Sequence, residues 1–179
     1  MKTCIALFRG INVGGKNMLP MKELVTVLES IGLQNIKTYI QSGNAVFQSK
    51  TADTAKLAKT ISAAIKESHG FEPQVLLLDS VALEEAIKAN PYPEAEAAPN
   101  TLYVVFLAAI PPKPDLDALE RIRAASERFQ LAGNVLYLHA PDGVGRSKLA
   151  AGMERLLGVA MTSRNWNTVR KLQEMITKQ

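Results

Sequence analysis

Residues 38–48 read TYIQSGNAVFQ, and the fold turns on how they are read. "IKTYI" (36–40) and "NAVFQ" (44–48) carry the β-branched and aromatic residues that favour strands, and "QSGN" joins them as a short hairpin connection. Upstream, Met21, Leu24, Val25, Leu28 and Ile31 fall at helical spacing. Pro20 suits a first helical position and Gly32 ends the helix. Before that helix, "TCIALF" (3–8) predicts a strand apolar on both faces. Downstream, Leu57, Ile61 and Ile65 mark a helix over 54–68, and "QVLLLD" (74–79) is a fourth strand. The order β-α-β-β-α-β predicts the ferredoxin-like split unit.

The same order recurs. A helix over 80–89 leads into "NPYPEAEAAPN" (90–100), whose prolines and small or acidic residues predict a solvated linker. "TLYVVFLA" (101–108) is then a strand, and 115–126 a helix with Leu116, Leu119 and Ile122. "RFQLAGNVLYLH" (128–139) is a hairpin, and 147–157 a helix with Leu149, Met153 and Leu156 on one face. A short strand near 159–162 and a helix over about 164–178, with Trp166, Val169 and Ile176, complete the chain. "QSGNAVFQ" (41–48) aligns in letters with "LAGNVLYL" (131–138), which reads as internal duplication. The expected class is α/β of the α+β kind: duplicated ferredoxin-like β-α-β-β-α-β units, mostly antiparallel sheets, plus a C-terminal helix. Residues 1–89 form the first unit, 90–100 the linker, and 101–179 the second unit and last helix.

Composition narrows the function classes. Hydrophobic content of 47% and charged content of 21% in 179 residues suit a soluble globular chain with a real core. The single cysteine, Cys4, excludes an intrachain disulfide and reads as cytoplasmic. The apolar run at 3–8 is too short for a signal-sequence core, and no run of 18 apolar residues exists, so no membrane partner is expected. Two histidines, His69 and His139, and one cysteine argue against a zinc site. The net charge of +4 permits an anionic ligand without demanding nucleic acid.

Topology gathers the candidate site. In the split unit the first and second strands run the same way, so the end of the first lies at the rim occupied by the hairpin turn. The third strand is also the first strand's neighbour. Arg9, Asn12, Lys16 and Asn17 are therefore expected to converge on Gln41, Ser42 and Asn44, with Gly14 and Gly15 letting backbone N–H groups approach a ligand. Arg9 and Lys16 would supply charge, and the amides orientation. The second half keeps Gly133 and Asn134 but has Leu131 and Ala132 in place of Gln41 and Ser42, and "AIPPKP" in place of "RGINVGGKN". Turn geometry alone thus accounts for Gly43 and Asn44, while the Arg9–Asn17 loop, Gln41 and Ser42 are surplus to the shared fold. The competing account is a loop whose arginine and asparagines merely brace their own backbone.

"GINVGGKN" (10–17) matches G-x-x-x-x-G-K-[ST] except at its last position, where Asn17 replaces the magnesium-binding hydroxyl. A nucleotide loop is disfavoured further by Pro20, which starts the helix late, and by Asp79, which the topology sends to the opposite rim as a strand end or helix cap. "GVGRSKL" (143–149) reads as a turn with a Ser147 cap, although a helix N-terminus also accepts anions. Thr162 or Ser163 is expected to cap the last helix. Arg164 and Asn165 are polar neighbours of Trp166 and could add to a site. The apolar first strands and the lack of an aromatic RNP-type run argue against base stacking, and both sheet faces are expected to be covered.

"LFRGINVGGKNMLPMKEL" (7–24), "TYIQSGNAVF" (38–47) and "SRNWNTVRKL" (163–172), in that order, resemble the DUF1697 family of small bacterial proteins of unknown function. The resemblance implies a two-part α/β chain of duplicated ferredoxin-like units. It supplies no catalytic residue, cofactor or reaction. The expectation is a small anionic, phosphorylated ligand at the 9–17 loop and 41–44 hairpin; the alternatives are a nucleic-acid backbone at the same rim, or no ligand. No nucleophile–base pair is visible, which leaves enzyme or binder open, as it leaves the oligomeric state.

Overall fold

A strand apolar on both faces needs cover on two sides. The computed structural model, which describes residues 1–179, puts β1 (Lys2–Arg9) in the interior of a four-stranded sheet. Both neighbours, β3 (Asn44–Ser49) and β4 (Gln74–Asp79), run antiparallel to it, and β2 (Gln34–Tyr39) lies outside β3. The order β2-β3-β1-β4, with α1 (Met21–Ser30) and α2 (Thr54–His69) as crossovers, is the ferredoxin-like arrangement. Cys4, Ala6 and Phe8 face the core with Leu24, Leu28, Ile61 and Ile65. Ile5 and Leu7, on the other face, are fully buried as well. Each such leucine, isoleucine or phenylalanine contributes roughly 1.5–3 kcal/mol by leaving water.

The arrangement recurs. In chain order come α3 (Ser80–Lys88), β5 (Leu102–Leu107), α4 (Leu116–Ile122), β6 (Arg128–Ala132), β7 (Val135–His139), α5 (Lys148–Leu157), β8 (Met161–Asn165) and α6 (Trp166–Thr177). The second sheet has order β6-β7-β5-β8 and is antiparallel throughout. Its core cluster draws Val105, Leu107, Leu136 and Leu138 together with Leu119, Leu149, Met153 and Leu157. The protein is therefore a mixed α/β chain of duplicated ferredoxin-like units with a C-terminal helix.

The chain divides into Met1–Glu85 with Lys171–Gln179, and Ala86–Arg170. Within the first unit, the Lys37 ammonium donates to Lys178 O at 3.0 Å and the Gln179 amide to Asn35 O at 3.0 Å, so the last residues sit on edge strand β2. Residues 90–100, read as a linker, lie in the second unit as two 3-10 turns, Pro93–Ala97 and Pro99–Thr101, with Tyr92 and Ala95 buried. The prolines there set helical φ values instead of spacing the chain out.

The helix expected over 115–126 ends at Ile122. Beyond it the buried Glu127 carboxylate accepts the Ala124 N–H at 2.7 Å, a local bond that replaces a helical one. The last helix is capped by Asn165, whose Oδ1 accepts the Thr168 N–H at 3.0 Å. Thr162 and Ser163, the expected caps, are consumed in β8, where they pair with Phe106 and Val105. Asp79 meets expectation: it pairs with Cys4, far from the end of β1, and caps α3 through a 2.8 Å bond from the Ala82 N–H.

Candidate functional site

The 9–20 loop is held by two buried anchors, Ile11 and Leu19, with residues 13–18 between them exposed. Asn12 ties its ends. Its Oδ1 accepts the Leu19 N–H at 2.7 Å, and its Nδ2 donates to Leu19 O and to Gln41 O, both at 2.8 Å. The second of these reaches the hairpin, so loop and turn do meet at one rim. The Phe8 N–H adds a 2.9 Å bond to Gly43 O. The Asn17 amide donates to Gly10 O at 3.0 Å, and the Asn12 N–H to Asn17 O at 3.0 Å.

Inside this frame Val13 and Lys16 bridge across a tight turn whose central residues, Gly14 and Gly15, have φ of 58° and 72°. Two consecutive positive φ values are what a I′ turn requires, so these glycines serve the turn as well as any ligand. Neither makes a hydrogen bond within the chain, nor does Ser42 or the Lys16 ammonium. Arg9 donates to the Gln74 side chain at 3.2 Å across the β1–β4 pair. Asn44 is fully buried and donates to Tyr39 O at 3.0 Å. The amides of Asn12, Asn17 and Asn44 are thus directed at backbone, which leaves Lys16, Gln41, Ser42 and the Gly14–Gly15 backbone facing outward.

The two hairpins are not built alike. β6 and β7 close on Ala132↔Val135, so Gly133–Asn134 is the whole turn. β2 and β3 close on Tyr39↔Asn44, with Ile40–Gly43 as the loop. The shared Gly-Asn letters therefore occupy different positions: Asn134 turns, whereas Asn44 opens a strand. Gly43 is needed for a reason of its own. At its φ of 97° a Cβ would lie 2.6 Å from Ile11 Cδ1 and 2.8 Å from Phe8 Cβ. At Gly133 a Cβ would meet nothing within 4 Å.

Arg164 and Asn165 belong to the second unit. Arg164 donates to Ser163 O at 2.9 Å, and burial lowers its pKa to about 10, so it stays charged at neutral pH. Asn165 serves as the α6 cap. Ser147 caps α5 through Ala150 N–H at 3.0 Å, and its hydroxyl donates to Glu127 at 2.5 Å. The glycine-rich 143–149 turn thus already holds a carboxylate of its own beside the helix N-terminus.

Three features had no signal in the sequence. Ile40 has φ of 51°, a region β-branched residues rarely enter, and its side chain is exposed. His69, at the C-terminus of α2, pairs with Glu23 of α1 at 2.6 Å and lies 2.7 Å from Ser68 Oγ. Ser68 Oγ also lies 3.0 Å from Ala64 O, the back-bond usual for a helical serine. In the second unit, Arg128 lies 4.3 Å over the Tyr92 ring, donates to Glu94 at 2.5 Å, and faces His139 Nδ1 at 3.0 Å. The His69–Glu23 pair and the Arg128–Glu94 and Arg128–Tyr92 contacts join residues from separate elements, and Ile40 depends on a local backbone state that composition does not encode.

Fold and rim define a class: a duplicated ferredoxin-like α/β chain with an ordered, glycine-turned cationic loop braced against its own hairpin. The chain belongs to the DUF1697 family, described as a protein of unknown function, which it matches over residues 1–137. Among solved structures it is similar to the conserved bacterial protein SP0830 from Streptococcus pneumoniae, at 26% identity and a TM-score of 0.69 over 97% of this chain and 98% of that one. No curated protein matches it.

Proposed function

We propose that this is a cytoplasmic bacterial protein that binds a small anionic, phosphorylated ligand at the rim of the 9–17 loop and the 41–44 hairpin. One observation carries the reading. Lys16, Ser42 and the N–H groups of Gly14 and Gly15 are presented at a braced rim without partners in the chain. Rigid unpaired donors beside a cation are what an oxyanion needs, and an ordered loop loses little entropy on binding. Arg9 adds charge from its place beside Gln74, and Asn12 and Asn17 act by holding the loop. The buried free thiol of Cys4 supports a reducing compartment. No helix is long and apolar enough to cross a membrane.

Thermal shift against inorganic phosphate, nucleotides and sugar phosphates tests the reading. A ligand at a hundred times its Kd should stabilise the fold by about 2.7 kcal/mol, and Lys16→Ala should remove the shift while leaving the free protein's Tm unchanged. Absence of response to every anion overturns it. A response to oligonucleotides alone, weakening steeply with salt, moves the rim to nucleic-acid backbone binding.

A further inference from the structure

Besides its donors, the rim carries exposed aliphatic side chains: Val13 at 62%, Met18 at 57% and Ile40 at 47% exposure. They stand on the loop and the hairpin corner that Asn12 ties together, with Lys16 among them. Ile40 is the most informative. Its φ of 51° is strained for a β-branched residue, and asparagine or glycine would sit there with less strain. The fold holds an isoleucine in that state with its side chain half exposed. Nearly half of that side chain stays exposed, at a position where isoleucine is not the residue the backbone favours, so its exposed part is available to a partner.

Charge selects the occupant. Residues 1–22 and 30–52, which include the loop and the hairpin, contain no aspartate or glutamate. Carboxylates that flank the loop in fold or sequence are engaged elsewhere: Glu23 with His69 at 2.6 Å, and Glu72 with Lys66 at 3.4 Å. A surface with exposed aliphatic side chains, unpaired N–H donors and the Lys16 ammonium, and no carboxylate, has the mixed composition of a protein interface, methionine being enriched there. It is a poor platform for nucleic acid, because none of the exposed anchors is aromatic and able to stack on bases.

We infer that the rim docks an acidic polypeptide segment of a partner protein. The segment's aliphatic or aromatic side chains cover Val13, Met18 and Ile40, and its carboxylates meet Lys16 and the Gly14–Gly15 backbone. This rests on the anion reading of the same rim, and the two fail separately.

The test is selection of a displayed library of random eight-residue peptides on the whole protein. Fluorescence anisotropy of the selected peptides then follows against three variants. The sequences recovered should combine Asp or Glu with Leu, Ile, Phe or Trp. Ile40→Asn should weaken their binding at least tenfold, because it removes an anchor at a position whose backbone suits asparagine. Val13→Ser with Met18→Ser should also weaken binding tenfold with Tm unchanged, which keeps the test valid if Ile40→Asn misfolds. Lys16→Ala should weaken acidic peptides and remove the phosphate shift; a phosphate shift without peptide binding upholds the anion reading and overturns this one. The inference is also overturned by basic or unenriched selections, by affinities that Ile40→Asn and the double serine variant leave unaltered, or by tighter binding of oligouridylate or phosphatidylglycerol vesicles than of any selected peptide.

Discussion

Asn12 shows how one side chain can decide a loop. Three hydrogen bonds of 2.7–2.8 Å leave little of its amide unused, and they join positions 12, 19 and 41. Asn12→Ala removes them and strands the Leu19 N–H beside a buried anchor. We expect a loss of about 2–3 kcal/mol, with faster amide exchange confined to residues 10–20 and 40–43. Gly43 makes the complementary point about space. Gly43→Ala combines a disfavoured φ with a Cβ driven into Ile11 and Phe8, for a loss of about 3 kcal/mol in urea denaturation. Gly133→Ala meets only the φ penalty, about 1 kcal/mol. Near-equal losses at the two sites would refute the claim that the two Gly-Asn pairs do different work. The sequence shows where glycine and asparagine cluster. It does not show which glycine is crowded, because crowding comes from Ile11, a residue in another segment.

At the scale of elements, the helices were legible from spacing, but the Asp53 and Asp115 caps went unread. Helix α2 starts where Asp53 accepts the Lys56 N–H at 3.0 Å, and α4 where Asp115 accepts the Ala118 N–H at 3.0 Å. Such caps are written in one turn of sequence. The α6 cap was misplaced because β8 runs three residues past the expected 162, and pairing with β5 outcompeted capping at Thr162 and Ser163. Asn165→Ala should therefore lower stability by about 1 kcal/mol, whereas Ser163→Ala, exposed on an edge strand, should change it by less than about 0.5 kcal/mol. The end of α4 was misread for a similar reason. Glu127 is an ordinary helix former, but here it is buried, bonded to Ser147 Oγ and Ala124 N–H, and so unavailable to continue the helix.

For the whole molecule, pH reports on a cluster built from three separate stretches of the second unit. Burial first, and then the Arg128 guanidinium, hold the His139 pKa below its ordinary 6.5, with Glu94 pulling the other way. The unfolded chain therefore takes up the His139 proton at a higher pH than the folded one does. Stability is fully present above about pH 6.5 and falls as pH drops below it toward the folded value. His139→Gln should flatten the Tm profile between pH 7.5 and 5.5 relative to wild type; parallel profiles would remove His139 from the account. Glu94, held low chiefly by its bond to Arg128, loses its contribution only at more acid pH, below the ordinary 4.5. The C-terminus gives a second test. Residues 171–179 group with the first unit through Lys178, Gln179 and the Gln173–Glu84 bond of 2.7 Å, so their deletion should speed amide exchange in β2.

By itself the sequence determined the order of elements, most of the buried residues of α2 and α5, and the duplication of the split unit, while Leu116, read onto the apolar face of α4, is exposed. It also placed the 9–17 loop beside the 41–44 hairpin and Asp79 at the other end of β1. All of these follow from periodicity, end signals and strand direction, which are local or topological. Only the tertiary structure decided that the hairpins differ in loop length, that the asparagines brace while Lys16 and Ser42 face outward, and that Ile40 is held at a positive φ with its side chain half exposed. It also decided that the last nine residues complete the first unit. Those outcomes depend on which groups packing brings within 3 Å across separations of 29 to 144 residues, a competition among hydrogen bonds and contacts that no stretch of chain encodes alone.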